Sequence, residues 1–95
     1  MSADQITVAS VPRLPRGVRM RFDEARDQWI LLGPERVLKL DDIAREILNR
    51  CDGEADLRAI IDDLAQAFAA DSSVIEADVM SFIGDLKARG FLDVG

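Results

Sequence analysis

Paired carboxylates and one thiol are the side chains here with the clearest capacity for chemistry. Asp41-Asp42 and Asp62-Asp63 each place two acids side by side, the inventory a general acid and a general base would need. Neighbours on a helix diverge by about 100°, however, so such pairs do not converge on one substrate atom. They read as solvated helix faces. Cys51 is the single cysteine. It falls on the apolar face near the end of a helical pattern, where a thiol behaves as a small buried hydrophobe. There is no histidine and no tyrosine. No Ser–His–Asp or Cys–His system can be assembled, nor a Cys/His zinc site from one chain, nor an internal disulfide. No Gly-rich phosphate loop is present. The expectation is a protein that is not an enzyme and has no catalytic residues. It should bind no metal, flavin or S-adenosylmethionine, and so need no cofactor.

The chain has 95 residues, room for one small domain. Its hydrophobic share of 48% and charged share of 32% are those of a globular sequence. No run approaches the ~20 apolar residues that cross a bilayer. The start, MSADQITVAS, lacks the basic and apolar regions of a signal peptide. A cytoplasmic protein with no membrane partner follows. The net charge of −6 is unevenly spread. Residues 11–40 carry seven basic and four acidic groups, whereas residues 41–95 carry five basic and thirteen acidic ones. The two parts offer partners electrostatically distinct surfaces.

What must position these residues is a small α+β body. Residues 1–16 show no apolar period and contain Pro12 and Pro15, which predicts a flexible tail or linker ahead of a domain at 17–95. Val18 to Asp23 alternates apolar and charged residues, the period of a half-buried strand with Val18, Met20 and Phe22 inward. Trp29 to Leu32 is a short apolar run fitting a middle strand, with Trp29 packed under a helix. Gly33-Pro34-Glu35-Arg36 is a turn signal, and Arg36 to Leu40 is a third strand. Three helices follow. Asp41 caps the first, with Ile43, Ala44, Ile47, Leu48 and Cys51 at helical spacing and Gly53 as its stop. Asp56 caps the second, whose stripe is Leu57, Ile60, Ile61, Leu64, Ala65 and Phe68. Ser73 and Glu76 suggest a capping box for the third, with Ile75, Val79, Phe82, Ile83 and Leu86 inward and Gly90 as its end. Phe91 and Leu92 fold back onto the body. A three-stranded antiparallel sheet followed by three α-helices has the form of a winged helix-turn-helix.

The third strand, Arg36, Val37, Leu38, Lys39 and Leu40, is an edge with unpaired backbone groups. Such an edge can accept a peptide as a further strand, or its cations can simply guard it against aggregation. A winged helix also raises nucleic-acid binding. Against that, Arg58 faces Asp62 and Asp63 on the second helix, and Glu76, Asp78 and Asp85 precede Lys87 and Arg89 on the third, which phosphates would repel. A weak homodimer through the same edge is the third alternative.

Pro12-Arg13-Leu14, Gly17-Val18-Arg19, Leu31 to Glu35, Ala44 to Leu48, Cys51-Asp52-Gly53, Asp78-Val79 and Phe91-Leu92 together resemble the PqqD family over residues 11–93. That family serves pyrroloquinoline quinone (PQQ) biosynthesis. The resemblance implies a peptide chaperone, the recognition element of ribosomally made, modified peptides. It implies two partners. One is the precursor peptide; the other is a radical S-adenosylmethionine (SAM) enzyme that crosslinks a Glu and a Tyr of that peptide. It also places the leader segment between the third strand and the third helix. The peptide-binding residues expected on that basis are Arg36, Val37, Leu38, Lys39 and Leu40 on the strand. On the helix they are Val79 and Ile83 as groove floor, with Met80 and Lys87 at the rim.

Overall fold

The computed structural model describes residues 6–95. In chain order the elements are β1 (Pro12–Arg13), β2 (Arg19–Asp23), β3 (Gln28–Gly33), β4 (Arg36–Leu40), α1 (Asp42–Asn49), α2 (Leu57–Ala67), α3 (Ser72–Ala88) and β5 (Asp93–Val94). The architecture is α+β, a three-stranded antiparallel sheet followed by three helices. No helix among the described residues is long and apolar enough to cross a membrane.

The sheet order is β2-β3-β4, with β3 alone paired on both sides. Met20 pairs with Leu31, which pairs with Leu38; Phe22 pairs with Trp29, which pairs with Leu40. Directly paired residues project from the same face, so these rows share the side packed on the helices. Leu31 and Leu40 are buried there. Trp29 meets the Phe22 ring edge-on at 5.5 Å and lies under the Arg45 guanidinium of α1 at 5.4 Å. Phe22 differs from the sequence expectation. It stands at the outer strand, where Trp29 covers it from one side, and it stays 38% exposed.

Asp41 and Asp56 cap α1 and α2, accepting the Ala44 and Ala59 backbone N–H groups. The capping box at Ser73 and Glu76 is not formed. Asp71 caps α3, taking the Ser73 N–H and hydroxyl, which hold its carboxyl below the usual range. Glu76 instead accepts from Arg58 at 2.7 Å and ties α3 to α2. α1 ends before Gly53, because Arg50 and Cys51 already turn back on the Ile47 and Leu48 carbonyls. Phe68 lies past the last turn of α2 and is 47% exposed. Phe91 and Leu92 are buried as expected. Gly33 accommodates this return, since a Cβ there would sit 2.9 Å from the Phe91 ring.

The expected tail is corrected over its described part. Residues 1–5 of it lie outside the described residues. Ile6 packs its side chain against the core, and from Val8 onward the segment is tied to the body by its backbone. β1 pairs with β5, and Val11 exchanges two 2.8 Å bonds with Gly95. The carbonyls of Ser10 and Val8 accept the Leu57 and Arg58 N–H groups that open α2. Pro12 is fully buried. Prolines lack a donor, but β1 needs few donors because Val11 and the carbonyls supply the bonds.

Ile60, Ile61 and Leu64 of α2, Val79, Ile83 and Leu86 of α3, and Leu31 and Leu48 are all essentially inaccessible. Truncating the centre of this core leaves a cavity that the packed helices cannot fill. Leu64→Ala should cost about 2–5 kcal/mol in chemical denaturation; a loss below about 1 kcal/mol would show that α2 is not held against the core.

Candidate peptide-binding edge and groove

The turn at Pro34-Glu35 joins Gly33 directly to its partner Arg36. A two-residue hairpin loop closes on a hydrogen-bonded pair, and such pairs alternate along an antiparallel ladder. Arg36, Leu38 and Leu40 therefore direct their N–H and C=O groups to β3. Val37 and Lys39 direct theirs away from the sheet. Among the described residues no strand lies beyond them.

A groove runs along this edge. It has a volume of about 330 Å3 and is bounded by β4, the start of α1 and one flank of α3. Leu38, Ala44, Ile47 and Leu86 form its floor, with Ile43 and Phe82 as apolar walls. Lys39, Asp41, Asp78, Asp85 and Arg89 supply its polar rim. At one end the Arg36 guanidinium donates to the Arg89 carbonyl at 2.9 Å, joining β4 to the C-terminus of α3. Arg89 also meets Asp85 at 3.4 Å. The arrangement offers backbone pairing along one side and apolar contact beneath, with two cations and three carboxylates at the rim.

All five β4 positions lie on the third strand of the sheet, but only Leu38 and Lys39 line the groove; Arg36 reaches its end through Arg89, Leu40 is buried, and Val37 faces the other side of the sheet. The four α3 positions are not brought to it. Val79 and Ile83 are buried core, at 1% and 0% exposure. Met80 and Lys87 lie on the opposite flank of α3, beside Ile6, Gly84 and Ala88. The groove flank is Asp78, Phe82, Asp85 and Arg89, about one residue round the helix. Apolar residues occur on several sides of α3, because α2, the sheet and residue 6 all pack on it, so the pattern alone does not identify the groove side. Ile43 was also missed; its 39% exposure on α1 leaves no trace in an apolar period.

Asp62 and Asp63 diverge as the helix geometry requires. Asp63 receives the Arg50 Nε at 2.6 Å, and Asp62 meets Arg58 at 3.6 Å. Cys51 is buried, and its thiol donates to the Ile47 carbonyl at 3.3 Å.

Comparison with known proteins gives the family and the fold. The profile of the family described as "Coenzyme PQQ synthesis protein D (PqqD)" matches residues 28–92. The chain belongs to the PqqD family. A relative from Rhodopseudomonas palustris strain BisB5, described as "PqqA binding protein", is 51% identical over 94 residues, covering 97% of this chain and 92% of its own. One of the same description from Xanthomonas euvesicatoria is 48% identical over 87 residues, covering 92% and 95%. Among solved structures, the PqqD part of Methylobacterium extorquens PqqCD, described as a functional stand-alone recognition element, superposes with a TM-score of 0.82. It is 41% identical, with 98% of this chain and 99% of that one covered. A crystal structure of PqqD from Xanthomonas campestris, 43% identical and covered over 98% of both chains, superposes with a TM-score of 0.60.

Within this PqqD chain the thiol gives a direct test of the core. Burial first, and the charge of Asp52 second, push Cys51 from an ordinary 9.0 up to about 12. The folded state disfavours the thiolate that the unfolded chain forms. Stability tied to the neutral thiol is thus complete below about pH 9 and lost between there and pH 12. Folded protein should resist iodoacetamide at pH 8 and react fully in denaturant. Melting curves of wild type should fall more steeply than those of Cys51→Ala as pH rises above 9; parallel curves would place the thiol in water.

Proposed function

We propose that this protein binds the PqqA precursor peptide of pyrroloquinoline quinone biosynthesis, non-catalytically, by strand addition to β4. It then presents the peptide to a radical SAM enzyme for Glu–Tyr crosslinking. The observation that carries this reading is the pairing of an unoccupied strand edge with an apolar groove beneath it. Val37 and Lys39 together supply two N–H and two C=O groups, each hydrogen bond contributing about 1 kcal/mol net. Side chains of an added strand alternate, so every second one enters the groove over Leu38, Ile43 and Phe82. The names of the relatives support the choice of peptide, since several similar chains are described as PqqA binding proteins.

The nucleic-acid reading is disfavoured by the helices. Asp62 and Asp85 of α2 and α3 have side chains 61% and 57% exposed, and the arginines beside them are already paired. A phosphate backbone would meet carboxylates there. Self-pairing through β4 remains the competing use of the same edge.

Val37→Pro removes an outward donor without touching the β3 ladder, and an edge strand tolerates proline at such a site. Leu38→Pro removes a donor that bonds β3. By calorimetry Val37→Pro should bind precursor peptide at least tenfold more weakly, a loss of about 1.4 kcal/mol, while its circular dichroism melt stays near wild type. Leu38→Pro should lose fold stability. Because the groove rim intersperses cations and carboxylates, raising salt should change peptide affinity little. Wild-type affinity in Val37→Pro, or a sedimenting dimer that the peptide does not dissociate, would remove β4 as the peptide site.

A further inference from the structure

The sheet has a second face, turned away from the helices. Arg19 pairs with Leu32, which pairs with Val37; Arg21 pairs with Ile30, which pairs with Lys39. These rows project opposite to the Leu31 and Trp29 rows. Among the described residues no helix covers them, yet Ile30 is only 8% exposed, and Leu32 is half-buried. With Arg21, Asp23 and the turn at Glu24-Ala25 they line a shallow concavity of about 570 Å3. Val37, at 64% exposure, continues the apolar strip to the edge of the sheet. Arg19, Arg21 and Lys39 frame it. Among the described residues none of these three cations is ion-paired. Asp23, by contrast, is held by Arg26 at 3.1 Å, which keeps its carboxyl below the usual range. Glu24, in the turn, is the remaining acid at this rim. A chain of net charge −6 thus concentrates unpaired cations around an apolar strip on one face.

We propose that this helix-free sheet face, centred on Ile30 and Leu32 and framed by Arg19, Arg21 and Lys39, docks an acidic protein surface. Its occupant is the enzyme that modifies the bound peptide. The proposal rests on the peptide occupying β4. A peptide strand added there becomes the fourth strand of the sheet. Half of its side chains then continue this face beside Val37 and Lys39, so an enzyme seated on the face touches peptide and protein together. Charge complementarity selects the partner's sign, and the apolar strip supplies the desolvated centre that interfaces favour. A second copy fits less well. Its acids lie on the helices, so the contact would be head-to-tail and open-ended. Nucleic acid also fits less well, because Trp29 points to the helices and the strip offers aliphatic groups where bases would need a stacking ring.

The test uses the full chain with the purified precursor peptide and the pathway's radical SAM enzyme. Arg19→Glu with Arg21→Glu changes exposed residues on β2, two strands from the β4 edge. Peptide affinity should stay within twofold of wild type. Affinity for the enzyme, measured with peptide bound, should fall at least tenfold. The milder Arg19→Gln with Arg21→Gln pair should lose part of it, and is the variant to read if the Glu pair lowers the melting temperature. Peptide should raise the wild-type protein's affinity for the enzyme, and the enzyme its affinity for peptide, by the same factor. Enzyme binding unchanged in both pairs overturns the docking face while leaving the β4 reading intact. Peptide affinity lost along with enzyme affinity shows a peptide site on β2 and overturns both. A single-stranded oligonucleotide, or a second copy of the chain, bound by wild type and lost in the Glu pair would make the face a nucleic-acid or self-association surface and overturn the proposal.

Discussion

The β3–β4 hairpin sets a parity on which the groove, the edge and the outer face all depend. Its two-residue turn makes Gly33–Arg36 a bonded pair, and every later position on β4 follows from that. Leu38 and Leu40 point to the helices; Val37 and Lys39 point away and leave their backbone groups free. A slip of one residue would exchange the two sets. Lys39 would then be driven into the core and Leu38 into water. Burial of Leu40 and half-burial of Leu38 therefore oppose such a slip. Within the turn Glu35 adopts φ 63, a left-handed conformation that costs a side-chain-bearing residue of order 1 kcal/mol. The turn nevertheless holds, because Pro34 pre-sets the preceding angle and the flanking strand pairs fix its ends.

A free strand edge is useful only beside a stable backdrop, and the helices are cross-tied to provide one. Arg50 spans α1 and α2, meeting Glu46 at 2.9 Å and Asp63 at 2.6 Å. These partners raise its pKa further, Asp63 first and Glu46 second. Arg58 spans α2 and α3 through Glu76. Both are partly exposed, so each contributes modestly to stability; their larger effect is on helix register. The N-terminal arm adds a third tie by holding the first turn of α2 and pairing with β5. The groove walls Ile43 and Phe82 are thereby carried on elements fixed independently of whatever lies between them.

β2 was legible because alternation is a direct consequence of one covered face, and β3 because a central strand reads as a short apolar run between turn signals, Ile30 and Leu31 being buried on opposite faces. The caps at Asp41 and Asp56 and the stop at Gly90, with φ 80, were legible because they answer local backbone needs. Three features were not. The arm from Val8 onward bonds through its backbone, which leaves no side-chain period to read. The groove side of α3 was placed on Val79 and Ile83 by their apolar character, whereas a helix packed on several sides buries apolar residues beyond one stripe and leaves Phe82 at the surface. Ser73 and Glu76 match a capping box, but Arg58 from another helix competes for Glu76 and Asp71 takes the cap. In each case a tertiary partner overrode a local signal.

On the reading proposed above, β4 serves two partners, because a strand presents two faces and an edge at once. Leu38 and Leu40 join it to the helices, and Leu38 floors the groove. Val37 and Lys39 lend their backbones to the free edge and their side chains to the outer face. Lys39 alone borders both surfaces, at the groove rim and beside Ile30 on the outer face. Backbone pairing also relaxes the demands on peptide sequence, since N–H and C=O groups are present whatever the side chains. Selectivity then falls to the groove, and partner choice to the charge on the opposite face. The divided charge of the chain follows from this separation: cations gather where the sheet is bare, and carboxylates where the helices cap and tie one another.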